Sequence, residues 1–172
     1  MIKRCSNPLK SDSFFIFGAR GTGKSTFVKS QFLPSSESTS SPTSSNKGGV
    51  WTIDLLDADE EEKFSRNPKQ LETELLAMAH RPEWVFIDEV QKVPKLLDHV
   101  HRLIENEKQK FILTGSTARK LKRAGANLLA GRAFVYQMFP LTHTELNNEF
   151  SLELVLNWGS LPKTYFSVDH AQ

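Results

Sequence analysis

Residues 14–26 read FFIFGARGTGKST. Four consecutive apolar residues suit a short strand buried on both faces, because nothing polar alternates with them. Directly after them come three glycines in six positions, Gly18, Gly21 and Gly23. Glycine lets a backbone curl until successive N–H groups point inward, which makes a concavity for an anion. A helix beginning near Gly23 and running to about Phe32 adds its positive dipole end to the same spot. Strand, anion-holding loop and helix in direct succession leave few architectures open, and this stretch anchors the reading of the rest.

Gly18-Ala-Arg-Gly-Thr-Gly-Lys24-Ser25 fits the G-x-x-x-x-G-K-[ST] pattern of a phosphate-binding loop. Gly18, Arg20, Gly21, Thr22, Gly23, Lys24, Ser25 and Thr26 are the residues expected around the phosphates, with the Arg20 side chain exposed. Lys24 is expected to reach the β- and γ-phosphates, and the Ser25 hydroxyl to ligate Mg²⁺. A second apolar run, WVFIDE, ends in Asp88 and Glu89. At the carboxyl end of a buried strand these two acids lie where open α/β sheets bind ligands. Asp88 is expected to hold the metal through water, and Glu89 to orient and deprotonate an attacking water. One strand, VWTIDL at 50–55, intervenes between loop and acids. That strand and the second acid mark the ATPase branch of phosphate-loop proteins, with expected sheet order 5-1-4-3-2. GTP is disfavoured: NKGG at 46–49 starts like a guanine-reading motif but lacks its acid. A third strand, FILTGS at 110–116, offers Thr114 and Ser116 as polar groups facing the γ-phosphate; Ser116 is the preferred one.

The remaining pattern alternates strands and helices, which predicts an α/β fold with a parallel sheet covered on both faces. After the strand at 50–55 comes an acidic turn, then a helix with Leu71, Leu75, Leu76 and Met78 on one side. PKLLDHVHRLIE is an amphipathic helix with Pro94 in its first turn. TARKLKRAG makes a basic helix, RAFVYQMF at 132–139 a last strand, and short helices follow near 142–149 and 151–158. Trp51, Trp84 and Trp158 are expected in the core. Residues 35–46, SSESTSSPTSSN, hold nine hydroxyl side chains in twelve positions and nothing to build a core, so a flexible insertion is expected over 35–49. At 172 residues the chain suits one domain. A net charge of +2 is too small to argue for nucleic acid or membrane by itself. The one cysteine, Cys5, has no internal partner, which fits a reducing cytoplasm. Lys3 and Arg4 precede an apolar run too short for a signal peptide, and no apolar stretch approaches the roughly 20 residues of a membrane span. His99 and His101 point to different sides of one helix and cannot share a metal. Asp57–Glu62 reads as a solvated helix start.

The segments FFIFGARGTGKST, VFIDEVQKVPKLLDHVHRLIE, FILTGSTARKLKRAGANLLAGRA, PLTHTEL and GSLPKTY, in that order, resemble the AAA+-like predicted ATPases of prokaryotes. The resemblance covers about residues 10–166. It implies ATP, Mg²⁺ and hydrolysis, with Lys24, Ser25, Asp88 and Glu89 at the family's functional positions and Ser116 at its sensor position. It also raises Gly159 and Pro162, since related ATPase switches carry a Gly-x-Pro-like turn whose proline packs on adenine; a plain turn is the other reading. Two departures stand out. The serine-rich segment is longer than the usual connection, and the second domain that follows the ATPase domain in the family is expected to be missing after GSLPKTY, the chain being either a fragment or a shortened product. Residues 1–166 are thus expected to form the ATPase domain and 167–172 a tail.

Arg119, Lys120, Lys122 and Arg123 form either a solvated helical face or a DNA-facing patch, and Arg119 is alternatively placed to meet the γ-phosphate. Arg132 is either an arginine finger or a salt-bridge partner. The sequence therefore predicts an ATP-binding domain that hydrolyses Mg²⁺·ATP slowly to drive or gate a protein partner, a second copy or a missing domain. The alternatives are a nucleotide-dependent switch with incidental turnover and a DNA-associated ATPase.

Overall fold

The computed structural model describes residues 2–33, 49–123, 129 and 131–167. The serine-rich stretch, apart from Gly49, and the tail beyond Ser167 lie outside the described residues, as do the side chains of Lys120, Lys122 and Arg123.

Five strands form one sheet: β1 (Ser13–Phe17), β2 (Val50–Asp54), β3 (Trp84–Asp88), β4 (Lys110–Gly115) and β5 (Ala133–Gln137), in the order β2-β3-β4-β1-β5. Every pairing is parallel. This is the expected order read from the other edge. β1 is flanked on both sides and covered on both faces, so all of Phe14–Phe17 is buried. Its side chains alternate between two cores. Phe15 and Phe17 join the larger one with Phe64, Leu71, Leu75, Leu97 and Val100 from helices α2 (Ala58–Arg66), α3 (Gln70–Ala77) and α4 (Leu96–Glu107). Phe14 and Ile16 join the smaller one, closed by Phe27 and Val28 of α1 (Lys24–Phe32). Burying each such side chain contributes about 1.5–3 kcal/mol, so the strand that carries the glycine loop is among the best-anchored parts of the chain.

Over the acidic stretch the structure replaces the expected turn with the solvated helix start also read there: Asp57 caps α2 by accepting from the N–H groups of Asp59 and Glu60. α2 and α3 are separate because Pro68 has no N–H to donate and disfavours helical backbone at Asn67. With the helix restarting at Gln70, Leu76 turns outward and Met78 stands at the C-terminal end. Trp158, at the end of α7 (Leu152–Trp158), is 42% exposed and not a core residue, whereas Trp84 is buried. Between β4 and β5 lies α5 (Ala118–Arg123). After β5 a capping box at Thr142 and Glu145 opens α6 (His143–Leu146), and past the turn expected between Gly159 and Pro162 the chain forms α8 (Pro162–Tyr165).

Candidate functional site

The loop between β1 and α1 sits at the carboxyl edge of the sheet. Gly21 and Gly23 have φ of 85° and 88°, the left-handed region that L side chains rarely adopt. Gly18 is required for a different reason: a Cβ there would lie 2.2 Å from the Met138 carbonyl oxygen. Thr22 is buried and turns its hydroxyl inward to donate to the Ala19 carbonyl at 2.8 Å, bracing the bend. Arg20 and Thr26 are exposed. Lys24 is only 5% exposed. Its ammonium donates to the carbonyl oxygens of Gly18 (2.8 Å) and Ala19 (3.3 Å), which leaves one of its three protons uncommitted.

β3 delivers the acids. Its alternation puts Asp88 on the α1 side, where its Oδ2 accepts from the Ser25 hydroxyl at 2.5 Å. The other carboxylate oxygen accepts from the Thr114 hydroxyl at the end of β4. Glu89 leaves the strand with φ 56°, an uncommon conformation for a residue with a Cβ. The turn is held because the Glu89 N–H donates to the Thr114 hydroxyl oxygen at 3.2 Å. Glu89 Oε1 then lies 3.7 Å from the Lys24 ammonium, and Oε2 accepts from the Gln91 amide. Lys24, Ser25, Asp88 and Glu89 thus meet at one place, from segments more than sixty residues apart. A hydroxyl and a carboxylate side by side suit a hard cation such as Mg²⁺, which takes one or two protein oxygens and completes its shell with phosphate and water.

The other candidates fall at varying distance from this centre. Ser116 lines a cleft of about 450 Å³ with Gly18, Ala19, Arg119, Gln137 and Phe139, beside the loop. Thr114, not Ser116, is the β4 hydroxyl bonded to both acids. Pro162 covers the loop: its Cγ is 4.0 Å from where a Cβ on Gly23 would stand, and Leu161 is 3.9 Å from the same point on Gly21. Arg132 does not belong to the site of its own chain. It precedes β5, whose first residue is level with Ser13 at the start of β1, so it stands at the amino edge of the sheet and pairs with Glu105. A parallel sheet puts the loop and the start of β5 at opposite ends, so of its two readings, arginine finger or salt-bridge partner, the salt bridge to Glu105 is the one present within the chain.

Three contributors were missed in sequence. Gln91 carried no spacing signal, and Leu161 read as turn. Arg4 drew notice only as a charge before an apolar run. Its guanidinium donates to the Thr22 carbonyl at 3.3 Å and the Phe139 carbonyl at 2.5 Å, and pairs with Glu145 at 3.0 Å. The N-terminal segment is thereby tied to the loop. Burial of the Glu145 carboxyl works to raise its pKa. The N–H groups of Cys5 and Thr142, the charge of Arg4 and the Thr142 hydroxyl outweigh this and hold it below the ordinary value.

The sequence model of a family described as an AAA domain matches residues 10–147, most of the chain. The chain belongs to the AAA domain family. The matched span takes in the loop, both acids and β4, and the expected resemblance to AAA+-like ATPases holds. No curated protein matches it. Among solved structures it is similar to domain III of the Thermotoga maritima replication initiation protein DnaA, at 12% identity and a TM-score of 0.40, over 87% of this chain and 68% of that one. A likeness that loose carries no argument about the site. Among the described residues no helix is long and apolar enough to cross a membrane, and no group of three or more His, Cys, Asp or Glu side chains could hold a metal ion.

Proposed function

We propose that this AAA domain binds Mg²⁺·ATP in the 18–25 loop and hydrolyses it slowly, in the cytoplasm, to drive or gate a partner, either another protein or a second copy. The observation that carries this is the convergence of Ser25 on Asp88 at 2.5 Å with Lys24 3.7 Å from Glu89. The loop N–H groups and Lys24 hold the phosphates, and Ser25 with Asp88 holds the metal, which when bound neutralises phosphate charge. Glu89 accepts the proton of a water whose oxygen attacks the γ-phosphorus as the bond to ADP breaks. Thr114 donates to the Asp88 carboxylate and accepts from the Glu89 backbone N–H, fixing the first acid and the turn that carries the second. Replacing Glu89 by Gln keeps the shape and loses the base, so ATP should bind within about threefold of the parent affinity while turnover falls by about 10²–10⁴. Asp88→Ala should instead weaken the dependence of binding on Mg²⁺. Parent-like turnover in both variants, followed by phosphate release, would refute the proposal.

A second reading, a switch in which the bound nucleotide sets conformation, is favoured by Leu161 and Pro162 resting on the loop glycines. An occupant of the loop is then felt directly by α8. Under this reading Mg²⁺·ATP slows amide hydrogen exchange over 159–166 even in Glu89→Gln. Exchange there that ignores nucleotide would remove it.

A further inference from the structure

Gln91 sits in the 3-10 turn Val90–Lys92 that follows Glu89. Val90 is fully buried and pins the turn into the larger core, which brings the Gln91 amide back against the strand ends. Two observations define its place. The amide N–H donates to Glu89 Oε2, while the carbonyl Oε1 is buried with no hydrogen-bond partner among the described residues. That oxygen also lies 2.6 Å from where a Cβ on Gly115 would stand, so the last residue of β4 has no room for a side chain while the amide is there. An ionised carboxylate only accepts, and this fixes the nitrogen toward Glu89 and the oxygen away from it. Most buried side-chain amides find partners for both ends. This one leaves a buried acceptor unmatched, which disfavours the folded state, and its one bond goes to the carboxylate assigned as base.

Resting on the ATPase reading above, we propose that Gln91 is a positioning residue for Glu89. Before nucleotide arrives, Glu89 is held from two sides, by Lys24 on Oε1 and Gln91 on Oε2. Phosphate draws the Lys24 ammonium away, and Oε1 is left to take the proton of the attacking water. Gln91 keeps its N–H on Oε2 throughout and transfers no proton. Its role is to stop a carboxylate on a left-handed turn from swinging out of reach once its cation is engaged elsewhere.

The test is Gln91→Met, which keeps length and approximate volume but has no donor. The expected result is a fall in kcat of at least about tenfold with KM for ATP within about twofold, and a melting temperature equal to or above the parent's, because the unmatched carbonyl is gone. A drop in melting temperature with kcat intact would overturn the proposal and make Gln91 structural. A second measurement needs no nucleotide. The Gln91 side-chain NH₂ signals, identified by their absence in Gln91→Met, should be shifted downfield in the parent and move to the free-amide region in Glu89→Ala. Signals indifferent to Glu89→Ala would also overturn it. A parent without ATP turnover would refute the ATPase reading alone, and the amide signals would still decide whether Gln91 holds Glu89.

Discussion

Lys24 is a lysine that folding has nearly removed from water, with its ammonium held by two carbonyl oxygens of the loop it serves. An ammonium in that position has little rotamer freedom left to lose when an anion arrives. It also cannot be dispensed with, because the loop N–H groups alone oppose only part of a triphosphate's charge. A ligand at about 100 times its dissociation constant adds about 2.7 kcal/mol to stability, several degrees in a domain of this size. Mg²⁺·ATP should therefore raise the parent's melting temperature by that amount, and Lys24→Ala should abolish most of the shift. A shift that survives Lys24→Ala, or that is larger with GTP, in a thermal scan would show that the 18–25 loop has been misread.

At the scale of elements, the N-terminal segment, the loop and α6 form one unit through Arg4 and Glu145, and that unit is sensitive to acid. A carboxyl held below its ordinary value contributes stability that is present above the unfolded value and is lost as pH falls through the lower folded one. Between neutral pH and about 4.5 the contribution should hold, and below that it should fade as the protonated carboxyl stops accepting from Cys5 and Thr142 and loses its attraction to Arg4. Urea unfolding from pH 6 to 3 should show a steeper loss for the parent than for Glu145→Gln; parallel curves would contradict this. None of it was legible in the sequence, because Arg4 and Glu145 are joined only by the return of the chain after β5. The sheet itself was legible. Runs such as FFIF and WVFI have no polar side to show water, and their shortness and the turn residues that follow mark them as buried strands. α2 and α3 were harder, since Leu71 and Leu75 gave the apolar face but the break depended on Pro68. Trp158 was misplaced because an aromatic at a helix end says nothing about whether a neighbouring element covers it. The site was legible wherever strand ends and motif spacing coincided, as at Lys24, Ser25, Asp88 and Glu89. It was obscure wherever a turn supplied the residue, as at Gln91 and Leu161.

For the molecule as a whole, the transition state of phosphoryl transfer places charge on oxygens that face away from the loop. An arginine there is worth about 10³–10⁵ in rate. Arg132 stands at the far edge of the sheet, and Arg20 and Arg119 are exposed, so among the described residues none of these three arginines is buried against the loop. Turnover should accordingly stay below about one per second at low protein concentration, and rise with concentration if a second copy lends the missing charge. Fast turnover independent of concentration and unaffected by Arg119→Ala and Arg132→Ala would show that a single chain is catalytically complete. The root of the loop bears on a different quantity, how long a nucleotide stays. The Gly18 N–H donates to the Gly115 carbonyl on one side, the Met138 N–H donates to the Phe17 carbonyl on the other, and the Met138 carbonyl leaves no space at the Gly18 α-carbon. Three strand ends are locked together beneath the loop, so that floor has no slack with which to let an occupant go. Under the proposed Mg²⁺·ATP reading, release would wait on the lifting of Leu161 and Pro162, and the residence time of a nucleotide would be set by the start of α8 rather than by the loop that grips it.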